Sequence, residues 1–396
     1  MPSILFINRV YPPAKGATGD MLQGMAEALA LRGWEVTILT TAAAGEPKKC
    51  TRRGVRILRS GGALSRRHVL LRAASYVFMI PSLITRGLLL PRTDFVVTMT
   101  DPPMLAVAGL ALKYFKRNRV IHWAQDLYPE VAEELGVLPR GNAISNLLRR
   151  LSTEALMRSD AVVAIGRCMA SRLTARGISY AKISIIPNWA PAIQSLDRAN
   201  NPFRARHELE GQFVVAYSGN MGLAHDFDTV LDAAEKLRGQ RVVFLFIGDG
   251  PRRVEVEAAA RLRGIDNIRF LPSQPADKLS ESLSAADAHL VTMRTNLCGL
   301  VVPSKVYGVL AAGRPCLFVG PADSEAARLI RETDSGFVVE PGQSSHLASE
   351  ILDWAGNPTL HAAACRKARI AGAMGTAHNA AEAFDEMLRN LASEKP

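Results

Sequence analysis

The sequence predicts an α/β chain built from two doubly wound domains, and three observations carry that prediction. The chain has 396 residues, more than one core of ordinary size accommodates. Short apolar runs alternate with amphipathic helical patterns, the signature of parallel sheet with crossover helices. The alternation occurs twice, on either side of a stretch with no periodicity.

In the first half the apolar runs are "ILFIN", "EVTILTT", "FVVTMT", "VIHWAQD" and "AVVAIG", with a helix expected from about Gly19 to Leu31. In the second they are "FVVAYSG", "VVFLFIGDG", "IRFLP", "AHLVTM" and "CLFVG". Between them, "IPNWAPAIQSLDRANNPFRARHEL" mixes prolines, asparagines and charges as linkers do. The expected organisation is therefore 1–190, 191–375, and a helix and tail over 376–396 that packs back toward the first domain. No repeat of solenoid period and no low-complexity tract is present.

Composition narrows the partners. Forty-eight Lys and Arg against 37 Asp and Glu give +11, which suits nucleotides, phosphates or an anionic lipid surface. Nucleic acid fits less well, since the charge is spread and no basic-aromatic motif recurs. Five widely spaced cysteines without a C-x-x-C pair indicate neither a disulfide framework nor a zinc cluster and suit a reducing cytoplasm. "MPSILFINRVYPP" meets charge and proline too soon for a secretory signal and reads as a first strand.

In doubly wound folds ligands sit outside the carboxyl ends of the strands, so the loops there hold the candidate residues. After the first strand, Gly16 and Gly19 precede a helix; they either open the backbone to a phosphate or sugar oxygen or simply permit a tight turn. The spacing matches neither G-x-G-x-x-G nor a P-loop. Asp126, at the end of "VIHWAQD", and Glu130 just beyond it are the catalytic candidates, with His122 nearby. A carboxylate there suits a general base for an acceptor hydroxyl, although Asp126 is also placed to cap a helix before Pro129. His122, alone inside an apolar run, reads as core.

In the second half "YSGNMGLAH" sets Gly219, Asn220 and His225 after a strand, where a diphosphate meets backbone donors. Gly248 and Gly250 in "FIGDGP" repeat the device and let a nucleoside lie against the backbone. "VVPSKVYGVLAAGRP" then brings Ser304 and Lys305 to the start of a small helix, with Arg294 upstream, giving cationic candidates for the same diphosphate. A solvated surface lysine is the alternative.

Taken in order, "GATGDMLQGMAEALALRGWEVTILT", "YSGNMG", "FIGDGP", "FLP", "VVPSKVYGVLAAGRP" and "GFVVEPG" resemble a retaining family 4 glycosyltransferase of GT-B fold, in which two Rossmann-like domains face a central cleft. The likeness is closest to the WbuB-like bacterial branch that assembles O-antigen, capsule and exopolysaccharide. It implies a nucleotide-sugar donor, UDP-linked, on the second domain, with Leu271 of "FLP" beside the nucleoside and Ser324 and Glu325 near the donor sugar. It implies a lipid-linked saccharide acceptor on the first domain and neither cofactor nor metal. The family's E-x7-E glutamates fall on Leu300 and Gly308, its diphosphate-loop Arg and Lys on Asn220 and His225, and a common histidine on Gln125. These departures leave Lys305 and Arg294 as charge donors and Asp126 as the acceptor-side residue. An epimerase-like isomerase and a non-catalytic nucleotide-sugar-binding subunit stand as alternatives.

Residues 64–92 mix arginines with Leu, Ile, Phe and Tyr; the stretch is too broken by Arg72, Pro81 and Arg86 to span a bilayer. It reads either as an interfacial segment or as a buried helix pair with basic faces. The expected location is cytoplasmic, peripheral on the inner face of the membrane.

Overall fold

A computed structural model describes residues 1–14, 16–43, 45–60, 69–190 and 193–393, with backbone alone over 69–77. The chain divides into two compact units. The first comprises Met1–Asn188, the short segment Gly299–Val301 and the stretch from Ala377; the second comprises Trp189–Cys298 and Val302–Thr376.

The first unit carries β1 (Ser3–Ile7), β2 (Glu35–Thr41), β3 (Lys49–Arg52), β4 (Val55–Ser60), β5 (Phe95–Thr98), β6 (Arg119–Ala124), β7 (Ala161–Ala164) and β8 (Ile183–Ile185). They form one sheet in the order β3-β4-β2-β1-β5-β6-β7-β8, parallel except for β3. Its helices are α1 (Ala17–Leu31), α2 (Val69–Leu89), α3 (Ala106–Lys116), α4 (Glu130–Glu134), α5 (Ala143–Arg158) and α6 (Arg167–Ala175). Strands β1, β5, β6 and β7 are near-continuous apolar runs because helices cover both faces of the sheet. The edge strand β3, "KCTR", carries charge at both ends, which discourages a further strand from pairing there.

In the second unit a small helix α7 (Pro202–Arg206) forms inside the aperiodic stretch, its first turn closed by Asn201 accepting from the Phe203 amide. There follow β9 (Phe213–Ser218), α8 (Asp228–Lys236), β10 (Val242–Ile247), α9 (Arg253–Leu262), β11 (Ile268–Leu271), α10 (Leu279–Ser284) and β12 (Ala288–Thr292). After these come α11 (Lys305–Ala311), β13 (Cys316–Val319), α12 (Glu325–Thr333), β14 (Gly336–Val339), α13 (Ser344–Gly356) and α14 (Pro358–Met374). The sheet order is β11-β10-β9-β12-β13-β14, all parallel. All six residues of β10, "VVFLFI", are buried, and Phe244 and Phe246 pack with Tyr217, Phe227 and Leu231 in the larger core of this unit.

The last helix, α15 (Ala377–Ser393), returns to the first unit. Phe384 inserts beside Phe6 and Trp123, at ring separations of 6.2 and 5.6 Å, and the Trp34 indole donates to Asp385 at 2.7 Å. Burial of one such phenyl ring contributes roughly 2–3 kcal/mol.

Several elements differ from the sequence reading. Strands β3, β4 and β8 were not expected; they are short or interrupted by arginines, and an apolar-run criterion passes over them. Of the two readings of 64–92, the helix pair does not form: among the described residues one helix, α2, runs through Pro81. Proline removes one backbone donor there, and packing against α3 outweighs that loss. Residues 64–68 of that stretch, and its side chains up to residue 77, lie outside the described residues.

Candidate functional site

Each sheet has a point where strand order reverses, between β1 and β5 in the first unit and between β9 and β12 in the second. At such a point adjacent crossovers leave in opposite directions and open a crevice at the carboxyl edge. The expected site residues lie at the carboxyl ends of β1 and β6 in the first unit and of β9, β10, β11, β12 and β13 in the second.

In the second unit the loop leaving β9 carries Gly219, Asn220 and His225, and the segment leaving β12 carries Arg294. The two are tied together by the Arg294 amide donating to the Ala224 carbonyl at 2.9 Å. Lys305 opens α11, and its Nζ lies 2.9 Å from His225 Nε2 and 5.2 Å from the Tyr217 ring centroid. His225 Nδ1 is 2.7 Å from the Thr292 carbonyl, which can only accept, so Nδ1 holds the imidazole proton and Nε2 accepts from Lys305. Burial, with Lys305 behind it, lowers the His225 pKa to about 3, so the ring stays neutral. Burial also lowers Lys305 to about 8. An amine held in such surroundings gains from the arrival of an anion. Arg294 is half-buried, makes no side-chain hydrogen bond among the described residues, and acts electrostatically on both His225 and Glu255.

Glycine is required at the meeting of the two loops. Gly248 has φ +138°, and a Cβ there would lie 2.1 Å from the Gly219 oxygen; at Gly250, φ +146°, it would lie 2.5 Å from the Met221 oxygen. At Gly219 it would strike the Lys305 side chain at 2.8 Å. Arg253, which the sequence reading passed over, fixes the second loop by donating to the carbonyls of Gly248 at 2.6 Å and Leu271 at 3.2 Å. The Leu271 carbonyl also receives the Gly248 amide at 3.0 Å, so this residue acts through its backbone. Asn220 is exposed at the loop tip, with its carbonyl accepting from the Tyr217 hydroxyl. Ser304 precedes α11 without a side-chain cap bond. Ser324 is almost wholly buried and its hydroxyl caps α12 by accepting from the Ala327 amide, which gives it a structural task; Glu325 is buried in the first turn. At the family's glutamate positions, Gly308 lies within α11 and Leu300 is buried in the first unit.

In the first unit the loops after β1 and β5 are joined by a bidentate pair between Arg9 and Asp101, at 2.6 and 2.8 Å. Asp126 follows β6, and its backbone forms an antiparallel bridge with Val301 of the short returning segment. Its carboxyl makes no hydrogen bond among the described residues and does not cap α4, which begins after Pro129 with no side-chain cap; the helix-cap reading is therefore not what this residue does. Burial, reinforced by Asp101, raises its pKa to about 6. Thr100, His122, Tyr128 and Arg176 line a cavity of about 20 Å³ beside it, room for about one water. His122 is buried, lies 2.9 Å from the Thr98 hydroxyl, and is held neutral by burial and by Arg176, with a pKa of about 4. Glu130 is engaged otherwise: it forms an ion pair with Arg176 and stands 3.9 Å from Arg149. Gln125 exchanges hydrogen bonds with Asn188, at 3.1 and 2.8 Å. Gly19 lets α1 approach the loop after β1, where a Cβ would lie 2.9 Å from Val10 Cγ1, and Gly16 precedes the same helix. That contact favours packing as the reason for Gly19. Among the described residues no group of three or more His, Cys, Asp or Glu could hold a metal ion.

Two doubly wound units, each with a strand-order reversal in its parallel sheet and the second with a glycine-lined turn around Lys305 at that point, give this chain the architecture of the GT-B fold. The chain belongs to the family 4-like glycosyltransferases: residues 16–189 match the "Glycosyl transferase 4-like domain" and residues 200–371 match "Glycosyl transferases group 1". "Probable glycosyltransferase WbjE" of Pseudomonas aeruginosa is 30% identical over 66% of this chain and 66% of its own length. "Putative colanic acid biosynthesis glycosyl transferase WcaI" of Escherichia coli K12 is 28% identical over 63% of each. The matched stretch thus spans just under two thirds of these relatives. Sucrose-phosphate synthase from Thermosynechococcus elongatus shares the fold, with a TM-score of 0.79 at 17% identity, covering 99% of this chain and 100% of that one. Anabaena HepE, solved in complex with UDP and glucose, does so with a TM-score of 0.74 at 15% identity over 98% and 100%.

Proposed function

We propose that this protein is a retaining glycosyltransferase that moves a sugar from a UDP-sugar to a hydroxyl of a lipid-linked saccharide during assembly of a cell-surface polysaccharide. The observation that carries the donor half is the Lys305–His225 contact at the β9/β12 switch point, above loops that only glycine permits. In this reading Lys305 and Arg294 stabilise the charge that develops on the departing diphosphate. Gly219 and the Asn220 loop surround its oxygens, and Gly248, Gly250 and Leu271 receive the nucleoside. Glu325 stands toward the donor sugar, with Ser324 holding the turn beneath it. Asp126, in the first unit, accepts the proton of the acceptor hydroxyl. The UDP assignment is supported by HepE, whose structure holds UDP, and the polysaccharide role by the description of WcaI.

Calorimetry with UDP, GDP, ADP and TDP, without divalent metal, tests the donor site. Selective UDP binding is expected; absence of any nucleotide binding overturns the reading. A second reading, a non-catalytic nucleotide-sugar-binding subunit, is favoured by one observation, the apolar Leu300 and Gly308 at the family's glutamate positions. UDP binding without hydrolysis or transfer of UDP-sugars, in the presence of lipid-linked acceptors, would select it.

A further inference from the structure

The loops that follow β9, β10 and β11 leave the sheet at one level. Ser218, Ile247 and Leu271 are register partners across the three strands. The Gly219 amide donates to the Ile247 carbonyl at 2.8 Å, and the Gly248 amide to the Leu271 carbonyl at 3.0 Å. Neighbouring strands stand about 5 Å apart, so a nucleoside diphosphate with its phosphates at the β9 loop and its base at the end of β11 spans roughly 10 Å. Its ribose then falls over the loop after β10. The acid in that loop is Asp249, between Gly248 and Gly250.

Asp249 is set differently from the acids on α9. Glu255 is held by two nitrogens of Arg252, and Glu257 accepts from Arg253 Nε at 2.8 Å. Asp249 Oδ2 accepts from Ser273 Oγ at 2.9 Å and Oδ1 from Arg253 Nη1 at 3.1 Å, yet the side chain stays 68% exposed. Ser273 belongs to the loop after β11 and Arg253 to α9, so two separate elements fix the direction of an open carboxylate. A carboxylate has about four acceptor sites, which leaves room here for further hydroxyl donors. Ser273, with Arg253 adding to it, holds the carboxyl below its ordinary pKa, so it is ionised at neutral pH. The Asp249 carbonyl accepts from the Met221 amide at 2.7 Å, which ties the residue to the glycine turn after β9.

We propose that Asp249 binds the ribose of the donor, its carboxylate accepting hydrogen bonds from the 2′- and 3′-hydroxyls of the nucleoside diphosphate, with Ser273 and Arg253 as positioning residues. Two carboxylate oxygens suit two adjacent hydroxyls, and bonds to an ionised acceptor are the stronger kind. In doubly wound nucleotide-binding folds an acid beyond the glycine turn takes ribose hydroxyls in this way. The inference rests on the UDP-sugar reading above and adds to it a preference for ribonucleotides over deoxyribonucleotides. Lys305 and Arg294, which that reading gives to the diphosphate, lie on other segments, so removing the Asp249 carboxylate leaves the phosphate half of the site in place.

The test is calorimetry with UDP, 2′-deoxy-UDP, 2′,3′-dideoxy-UDP and inorganic pyrophosphate on the parent, Asp249→Ala and Ser273→Ala. The parent should bind UDP roughly 30-fold or more tighter than the dideoxy analogue, with 2′-deoxy-UDP between them. In Asp249→Ala the three nucleotides should converge to within about threefold, while pyrophosphate, which has no ribose, binds as it does to the parent. The melting temperature should hold, because the carboxylate is exposed and its ion pair contributes little. Ser273→Ala should keep part of the discrimination. Equal binding of UDP and dideoxy-UDP by the parent overturns the proposal and leaves the UDP site standing, as does full discrimination by Asp249→Ala. Equal weakening of pyrophosphate and UDP in that variant also overturns it, since Asp249 would then support the loop alone. A parent that binds no nucleotide overturns the donor reading and this inference with it.

Discussion

Lys305 Nζ stands 2.9 Å from Nε2 of His225, and the Thr292 carbonyl behind the ring fixes which atom carries the proton. A neutral imidazole held in this tautomer orients the amine without adding charge. The lysine therefore waits, partly desolvated, for a negative partner. Lys305→Ala should reduce UDP affinity by roughly thirtyfold or more, the weight of a charge-assisted hydrogen bond, while the fold persists. Titration calorimetry measures the effect, and unchanged affinity removes Lys305 from the site.

The same contact gives a pH dependence. With its pKa lowered to about 8, the free enzyme loses the Lys305 charge as pH rises through that value. A diphosphate binds the charged form better, so UDP affinity should fall between about pH 8 and 10, whereas a lysine of ordinary pKa would hold affinity level to about pH 10. For stability the sign is opposite. The unfolded chain binds this proton more tightly, so the unliganded protein gains stability from Lys305 as pH rises from 8 toward 10.5, the ordinary value. Affinity measured from pH 6.5 to 10 in the parent and in Lys305→Ala checks the assignment, the variant being expected to show a flat profile over that range.

Gly248 and Gly250 make a second expectation concrete. Alanine at either position meets backbone atoms at 2.1 or 2.5 Å, in a conformation that L side chains rarely adopt. Backbone cannot yield as a flexible side chain does, so each substitution should cost about 2–4 kcal/mol and displace the loop that faces Gly219. Gly342→Ala, with φ +90° but open space around it, should cost only about 1 kcal/mol. Thermal melts of the three variants give the comparison, and equal losses would mean that backbone strain alone accounts for the glycines.

Much of this was legible in the sequence, and the reason is the parallel sheet. Strands such as "VVFLFI" are buried on both faces and stand out as apolar runs, and the glycines of "YSGNMG" and "FIGDGP" mark the loops that leave them. Lys305 and His225 could each be picked out singly, but they are 80 residues apart and no local pattern pairs them. Arg176 and Arg253 were missed for a related reason. Each acts on backbone or carboxylates brought close only by folding, and in the sequence both look like ordinary basic residues on helical segments. Glu130 drew attention by standing near Asp126, whereas its partner Arg176 is far along the chain.

The two carboxyls of "DLYPE" should separate in experiment. The Asp126 carboxyl has no hydrogen-bonding partner among the described residues and a pKa raised to about 6, so as a base it is ionised only above that value. Transfer by the parent should rise with pH through about 6. Asp126→Asn should leave UDP affinity and melting temperature near the parent's while reducing transfer by roughly 100-fold or more, the range of a general base. Glu130→Gln should do the reverse. It leaves the largely buried Arg176 guanidinium without its counter-charge, which costs about 3 kcal/mol of stability, and the variant should retain its turnover below its melting temperature. Arg176→Met in that background should restore part of the loss, since an apolar side chain tolerates the site that a lone charge does not. If Asp126→Asn keeps full activity, the proton goes elsewhere; if Glu130→Gln instead loses turnover at full stability, Glu130 takes the catalytic place assigned to Asp126.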